Sequence, residues 1–291
     1  MDEYSRLIPA TNRFPSAAGG QGFKALADYV HSLGLSFGIH IMRGIPRQAV
    51  HGNTPIKGTS VTAREIAHTN SICPWNTDMY GVDASKDGAQ AYYDSLFELY
   101  AEWGVDFVKV DDIAASKLYD THLAEIELIR NAIDRCGRAM VLSLSPGPAP
   151  LAYNEAFREN ANMWRITDDF WDQWELLYEM FERCEQWAQF VEVGSWPDCD
   201  MLPLGHIGIR SVDGGGSDRW TRFTQDEQLT MMTLWSIFRS PLLFGGELRD
   251  NDAWTMSLLT NDEVLEANRS GRYARQVYRD EYDRIVWMSE H

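Results

Sequence analysis

With 291 residues, 44% of them hydrophobic, the chain is long enough to bury a large core in one main α/β domain. A formal net charge of −17 argues against binding a polyanion, because phosphate contacts need clustered Lys and Arg, which the sequence lacks. No run of about 18 apolar residues and no signal-peptide pattern appears, so a membrane partner is not expected either.

In chain order, Phe23, Leu26, Ala27, Val30 and Leu33 follow helical spacing, Gly34 suits the helix end, and Leu35 to Met42 reads as a strand arriving near His40 and Arg43. A long connection from Gly44 to Asn76 follows, carrying Trp75, with Tyr80 just beyond. Ala89 to Trp103 predicts a helix with Tyr93, Leu96, Phe97 and Tyr100 on its buried face, and Gly104 stops it. Val105 to Val110 is then a strand reaching Asp111 and Asp112. Carboxylates that end an apolar run need partners or a function, because burying an unpaired charge is costly. Lys109, two residues before Asp111, shares its strand face.

A third helix from His122 to Cys136 breaks at Gly137, and Ala139 to Leu144 predicts a strand emerging at Ser145 and Pro146. Further strands are expected at Asn162 to Thr167, leading to Asp168 and Asp169, and at Phe190 to Gly194, leading to Trp196, Asp198 and Asp200. Asp168 also suits the cap of a following helix. A second long connection separates Leu202 from Thr224, and Gly214 to Gly216 within it follows no strand directly, so a nucleotide-phosphate fingerprint is not expected. Thr224 to Glu227 reads as a capping box opening a helix with Leu229, Met232, Leu234 and Trp235 as core. Pro241 to Phe244 is the last barrel-type strand, and Arg275 to Arg279 with Arg284 to Ser289 reads as a strand pair.

Helices alternating with apolar strands call for a parallel sheet with right-handed crossovers. Polar residues gathered beyond many different strands favour a barrel with its site at the strand C-termini over a doubly wound sheet. The four cysteines form no CxxC pair and read as thiols or one bridge. Of the eleven tryptophans, Trp75, Trp164 and Trp196, with Tyr80, stand at strand ends or in long loops where a ring can stack on a sugar; Trp187 and Trp235 fall in helical runs and are expected in the core.

These segments resemble glycoside hydrolase family 27, the α-galactosidase family. The carriers are Arg6-Leu-Ile-Pro, Leu26 to Ile39, Trp103-Gly-Val-Asp-Phe-Val-Lys-Val-Asp111, Trp164-Arg165 with Asp169, Trp196-Pro-Asp-Cys-Asp-Met-Leu202, Ser240 to Gly246 and Leu259 to Val264. The resemblance implies a (β/α)8 barrel over residues 1–270, lacking its first two strands, and the start of an antiparallel β-domain over 271–291. It implies a retaining glycosidase needing no cofactor or metal, with Asp111 as nucleophile and Asp169 as acid/base. Lys109, Arg165, Asp200, Trp196, Met201, Tyr80 and His40 would line a subsite for a terminal α-linked galactose-like sugar of an oligosaccharide or glycoside.

Two motifs depart from the family pattern. Ser143-Leu-Ser-Pro-Gly-Pro-Ala-Pro150 stands where α-galactosidases carry a Cys-Glu-Trp segment that recognises the sugar's 2-substituent, and Trp-Pro-Asp-Cys-Asp replaces the usual Trp-Asn-Asp-Pro-Asp. An open barrel would expose strand flanks and favour association of copies into a homo-oligomer. Two rival readings remain at this point: a carbohydrate-binding remnant without turnover, and a metal-dependent hydrolase using His40, Asp111 and Asp198.

Overall fold

Glycines delimit the first helices as the spacing predicts. In the computed structural model, which describes residues 1–209 and 217–291, α1 (Lys24–Ser32) ends just before Gly34, and α4 (Ala89–Trp103) ends at Gly104, whose left-handed φ of 80° closes the last turn. The glycine run 214–216 lies outside the described residues.

The chain divides into two compact units, one of Met1–Pro146 with Glu155–Met163 and one of Gly147–Asn154 with Trp164–His291. The first unit builds its sheet from β1 (Gly38–Met42), β5 (Phe107–Asp111) and β6 (Val141–Leu144), with β5 in the centre and both pairings parallel. The register sets His40 beside Lys109, Lys109 beside Ser143, and Met42 beside Asp111. On β5 Val108 and Val110 are fully buried, so Lys109 and Asp111 occupy the opposite face. Helix α4 buries Tyr93, Leu96, Phe97 and Tyr100 as its periodicity requires, and α5 (Leu123–Arg135) buries Ile126, Ile129 and Ile133.

The long connection after β1 is not irregular. It contains β2 (Ile45–Pro46), α2 (Arg47–Gly52), α3 (Ala63–Ile66) and β3 (Ala67–Ile72), and β2 and β3 flank β4 (Met79–Val82) in a small antiparallel sheet. Gly44 makes the turn into it: its φ is 88°, and a β-carbon there would lie 2.0 Å from the Tyr80 carbonyl oxygen.

After α6 (Asn154–Asn160), the second unit sets β7 (Met163–Arg165) beside β8 (Trp196–Asp198) and pairs β9 (Met201–Leu202) in parallel with β12 (Leu243–Phe244). Helix α7 (Trp174–Trp187) buries Leu177, Met180, Cys184 and Trp187. The strand expected at Phe190 to Gly194 is absent: 188–190 form a 3-10 turn, Val193 is 88% exposed, and pairing begins at Trp196. The apolar Phe-Val-Glu-Val run had the local signal, but the ladder forms where Pro197 and Asp198 are buried. Asp168 does not cap α7, whose N-cap is Gln173; it accepts the Asp169 amide at 2.9 Å.

The two-residue strands β10 (His206–Ile207) and β11 (Arg219–Trp220) pair antiparallel ahead of α8 (Gln225–Phe238). Its capping box is as read: the Thr224 hydroxyl accepts the Glu227 amide, and Glu227 reaches back to the Thr224 amide at 2.7 Å. Thr224→Ala is expected to lower stability by about 1 kcal/mol, measured as a shift of the urea midpoint at constant slope. Met232, Leu234 and Trp235 are core, whereas Leu229 is exposed, on the outer side of the stripe. Helices α9 (Ala253–Leu259) and α10 (Asp262–Ser270) lead to the antiparallel pair β13 (Arg272–Arg279) and β14 (Ile285–Glu290). All four cysteines are free thiols, with Cys184 and Cys199 3.5 Å apart at sulfur.

Candidate active site

In the first unit the chemistry collects where β1 and β5 end. Asp111 Oδ1 accepts the Ser145 hydroxyl at 2.9 Å and the Asp112 amide at 2.9 Å, and His40 Nε2 lies 3.7 Å from Oδ2. Burial alone would raise the Asp111 pKa, but His40, the Asp112 amide and the Ser145 hydroxyl outweigh it and hold the carboxyl below its usual range. The Lys109 ammonium forms no hydrogen bond or ion pair with another described residue and is available to a ligand.

Asp112, the neighbouring acid, is buried in a different network. Arg43 Nη2 meets its Oδ2 at 2.9 Å, Arg43 Nε donates to its carbonyl at 2.6 Å, and Arg43 Nη1 donates to Glu125 Oε1 at 2.9 Å. Tyr93 donates to Glu125 Oε2 at 2.6 Å and accepts the Gly44 amide at 3.0 Å. Burial raises the pKa of both Asp112 and Glu125, with Arg43 opposing it.

In the second unit Arg165, 4% exposed at the end of β7, donates from Nη1 to Asp169 Oδ1 at 2.9 Å, and its Nη2 lies 3.3 Å from Asp200 Oδ2. Burial would lower the Arg165 pKa, but Asp200, Asp169 and Asp198 outweigh it and raise it further. Asp169 is 67% exposed at its side chain, whereas Asp200 is almost buried. Asp200 adopts a left-handed φ of 69° that lets its amide donate to Asp198 Oδ1 while its own carboxylate accepts the Phe170 amide, each at 2.9 Å. Asp198 is thereby a buried brace for the turn carrying Asp200.

Met201 is half-buried against Gly245, and Trp196 lies under the Arg239 guanidinium, 4.7 Å from ring centre to charge. In the first unit, Tyr80 is stacked by Arg47 at 4.6 Å, while Trp75 is 43% exposed. Trp164 is fully buried against Trp187, so it is a core residue and offers no ring to a sugar. In the second unit, residues 147–149 are drawn tightly onto the end of β7 and the residues beyond it: a β-carbon at Gly147 would lie 2.6 Å from the Arg165 carbonyl oxygen and 2.1 Å from that of Thr167. Sequence reasoning named the acids but not Ser145, Arg43, Glu125 and Tyr93 as their supports. The available signal was positional, since Arg43 and Asp112 each directly follow neighbouring parallel strands.

Residues 77–270 match the family model described as alpha galactosidase A. A GH27 β-L-arabinopyranosidase from Geobacillus stearothermophilus is 76% identical and superposes with a TM-score of 0.98, over 100% of this chain and 66% of that one; it has also been solved in complex with arabinose. Alpha-galactosidase 2 of Arabidopsis thaliana is 26% identical over 292 residues, 98% of this chain and 58% of that protein. Human alpha-galactosidase A is 27% identical over 281 residues, 92% of this chain and 52% of that protein. The chain thus spans about half the length of the curated relatives it matches. The solved neighbours also bear out the expected fold class: an α/β fold with a parallel sheet, part of a (β/α)8-type barrel, followed by additional β-strands.

Proposed function

The chain belongs to the alpha galactosidase A family, glycoside hydrolase family 27, and from that premise we propose that it is a retaining glycosidase removing a terminal galactose-like sugar, with Asp111 as nucleophile and Asp169 as acid/base. The observation that carries this reading is the Asp111 carboxylate, kept ionised by Ser145, the Asp112 amide and His40 at the end of a buried strand. Two hydrogen bonds occupy Oδ1, which leaves Oδ2, with His40 Nε2 3.7 Å away, as the oxygen to attack.

In the first step Oδ2 bonds to the anomeric carbon as the glycosidic C–O bond breaks, and Asp169 gives its proton to the departing oxygen. In the second, the Asp169 carboxylate takes a proton from water, whose oxygen displaces the ester; two inversions restore the starting configuration. The exposure of Asp169 leaves room for a leaving group and then for water. Lys109, Arg165 and Asp200 would bind sugar hydroxyls.

α-D-Galactopyranose and β-L-arabinopyranose share their ring configuration and differ by the hydroxymethyl group on C5. A terminal sugar of this class, β-L-arabinopyranose foremost, is therefore the proposed substrate. Hydrolysis of aryl α-galactoside, α-N-acetylgalactosaminide and β-L-arabinopyranoside tests it. Sugar binding without turnover of any of them would replace the hydrolase by a carbohydrate-binding remnant.

The acid/base assignment has its own signature. Asp169→Ala is expected to slow cleavage of poor leaving groups by roughly 10² to 10⁴ while sparing dinitrophenyl glycosides in the first step, because an acidic phenol departs without a proton. Equal losses across a leaving-group series would remove Asp169 from that role.

A further inference from the structure

Asp112 presents itself in the sequence as a second acid beside the nucleophile, yet its carboxylate is 1% exposed and engaged by Arg43. Its backbone is in the left-handed region, with φ of 57°, a conformation that costs a non-glycine residue energy and persists only when its surroundings impose it. That conformation accompanies the 2.9 Å hydrogen bond from the Asp112 amide to Asp111 Oδ1.

Arg43 imposes it at three points. Its own amide donates to the Asp111 carbonyl at 3.1 Å, its Nε donates to the Asp112 carbonyl at 2.6 Å, and its Nη2 holds the Asp112 carboxylate at 2.9 Å. The free arm of the guanidinium is fixed in turn through Glu125 and Tyr93 to the Gly44 amide, the residue after Arg43 itself, so the circuit closes on its starting point. Every member of it is buried, and none of these bonds requires a ligand.

We infer that Arg43 and Asp112 are positioning residues that hold residue 112 in its left-handed conformation, aim its amide at Asp111 Oδ1, and so orient the nucleophilic carboxylate with Oδ2 free for attack. The inference rests on the proposed role of Asp111. The charged and titratable groups around Asp111 are His40 from β1, Lys109 on its own strand face, Asp112 and Arg43 behind it, and the Cys73 thiol; Ser145 adds an uncharged donor. Removing the aimed amide strips one donor from the charged form of Asp111, so its pKa rises and the acid limb of turnover moves to higher pH.

The test compares the unaltered chain with Asp112→Gly, Arg43→Lys and Asp112→Asn, each shown to fold by circular dichroism. Glycine tolerates the positive φ but loses the carboxylate anchor; asparagine keeps both the conformation and an oxygen for Arg43. Asp112→Gly and Arg43→Lys are expected to lower kcat about tenfold or more with KM within about twofold, and to raise the acid limb by about one pH unit, while Asp112→Asn stays near the unaltered chain.

The Asp111 carboxyl is also titrated by ¹³C NMR, its resonance identified by its loss in Asp111→Asn. An unchanged titration and unchanged kcat in a folded Asp112→Gly overturn the inference, and Arg43→Lys is read the same way if Asp112→Gly does not fold. Absence of turnover in the folded, unaltered chain instead refutes the hydrolase reading, and the NMR titration still decides the positioning.

Discussion

Asp111→Asn is expected to lower kcat by roughly four orders of magnitude or more while leaving KM nearly unchanged. The substitution keeps the side chain's shape and an oxygen to accept from Ser145 and the Asp112 amide, so the strand end has little reason to move. What it removes is the anionic oxygen that forms the glycosyl ester, and an amide does not replace it as a nucleophile. The loss should persist with dinitrophenyl glycosides, since leaving-group acidity helps only when a nucleophile is present. That separates it from Asp169→Ala. Asp111→Gly extends the test: azide entering the vacated space should bond to the anomeric carbon once, giving a glycosyl azide of inverted configuration. Product configuration is read by NMR. Turnover within about tenfold of the unaltered chain, or a retained azide product, would exclude Asp111 as the nucleophile.

How far this site could be read beforehand depended on distance along the chain. Helix α4 was legible to its last residue because its buried stripe and Gly104 are both local signals. The positions of Asp111, Asp169 and Asp200 at or just beyond strand ends were legible from short motifs, whereas the roles proposed for them rest on the family resemblance; Arg165 and Asp169 share a four-residue spacing that the structure turns into an ion pair. The supports were not legible. Ser145 lies 34 residues from Asp111, and Glu125 lies 82 residues from Arg43; only the parallel register of three strands and the packing of α5 bring them within hydrogen-bond reach.

Where local and tertiary signals competed, the tertiary one won. The apolar run at 190–193 offered a strand, but pairing took Trp196–Asp198. Trp164 sits at a strand end, yet its ring serves the core. Tyr80 joins a three-stranded antiparallel sheet, two of whose strands form inside what reads, from its length, as a long loop over 44–76.

Arg43→Leu should be the most damaging substitution for stability, at about 3 to 5 kcal/mol near neutral pH. Leucine approximates the volume of the arginine stem but leaves Asp112 and Glu125 without the cation between them, in a site where both are already pushed upward by burial. Two buried carboxylates then face either the cost of an uncompensated charge or the cost of taking up protons. Linkage fixes the pH dependence. Their folded-state pKa values lie above the unfolded ones, so the folded state binds more protons; the associated stability is complete below the unfolded carboxyl range, near pH 4, and is lost as pH rises through the folded values. In the unaltered chain Arg43 limits that loss. In Arg43→Leu the opposing charge is gone, the folded values move higher, and the penalty grows across a wider window. Urea midpoints of the two proteins should therefore converge toward pH 4 and separate toward pH 7 and above. A difference independent of pH would mean that lost packing around the arginine stem, and not the stranded carboxylates, sets the cost. Glu125→Gln in the Arg43→Leu background distinguishes the two further: removing one stranded acid should recover stability at pH 7 and little at pH 4, the opposite of its effect in the unaltered chain, where the same change weakens a charge that Arg43 needs.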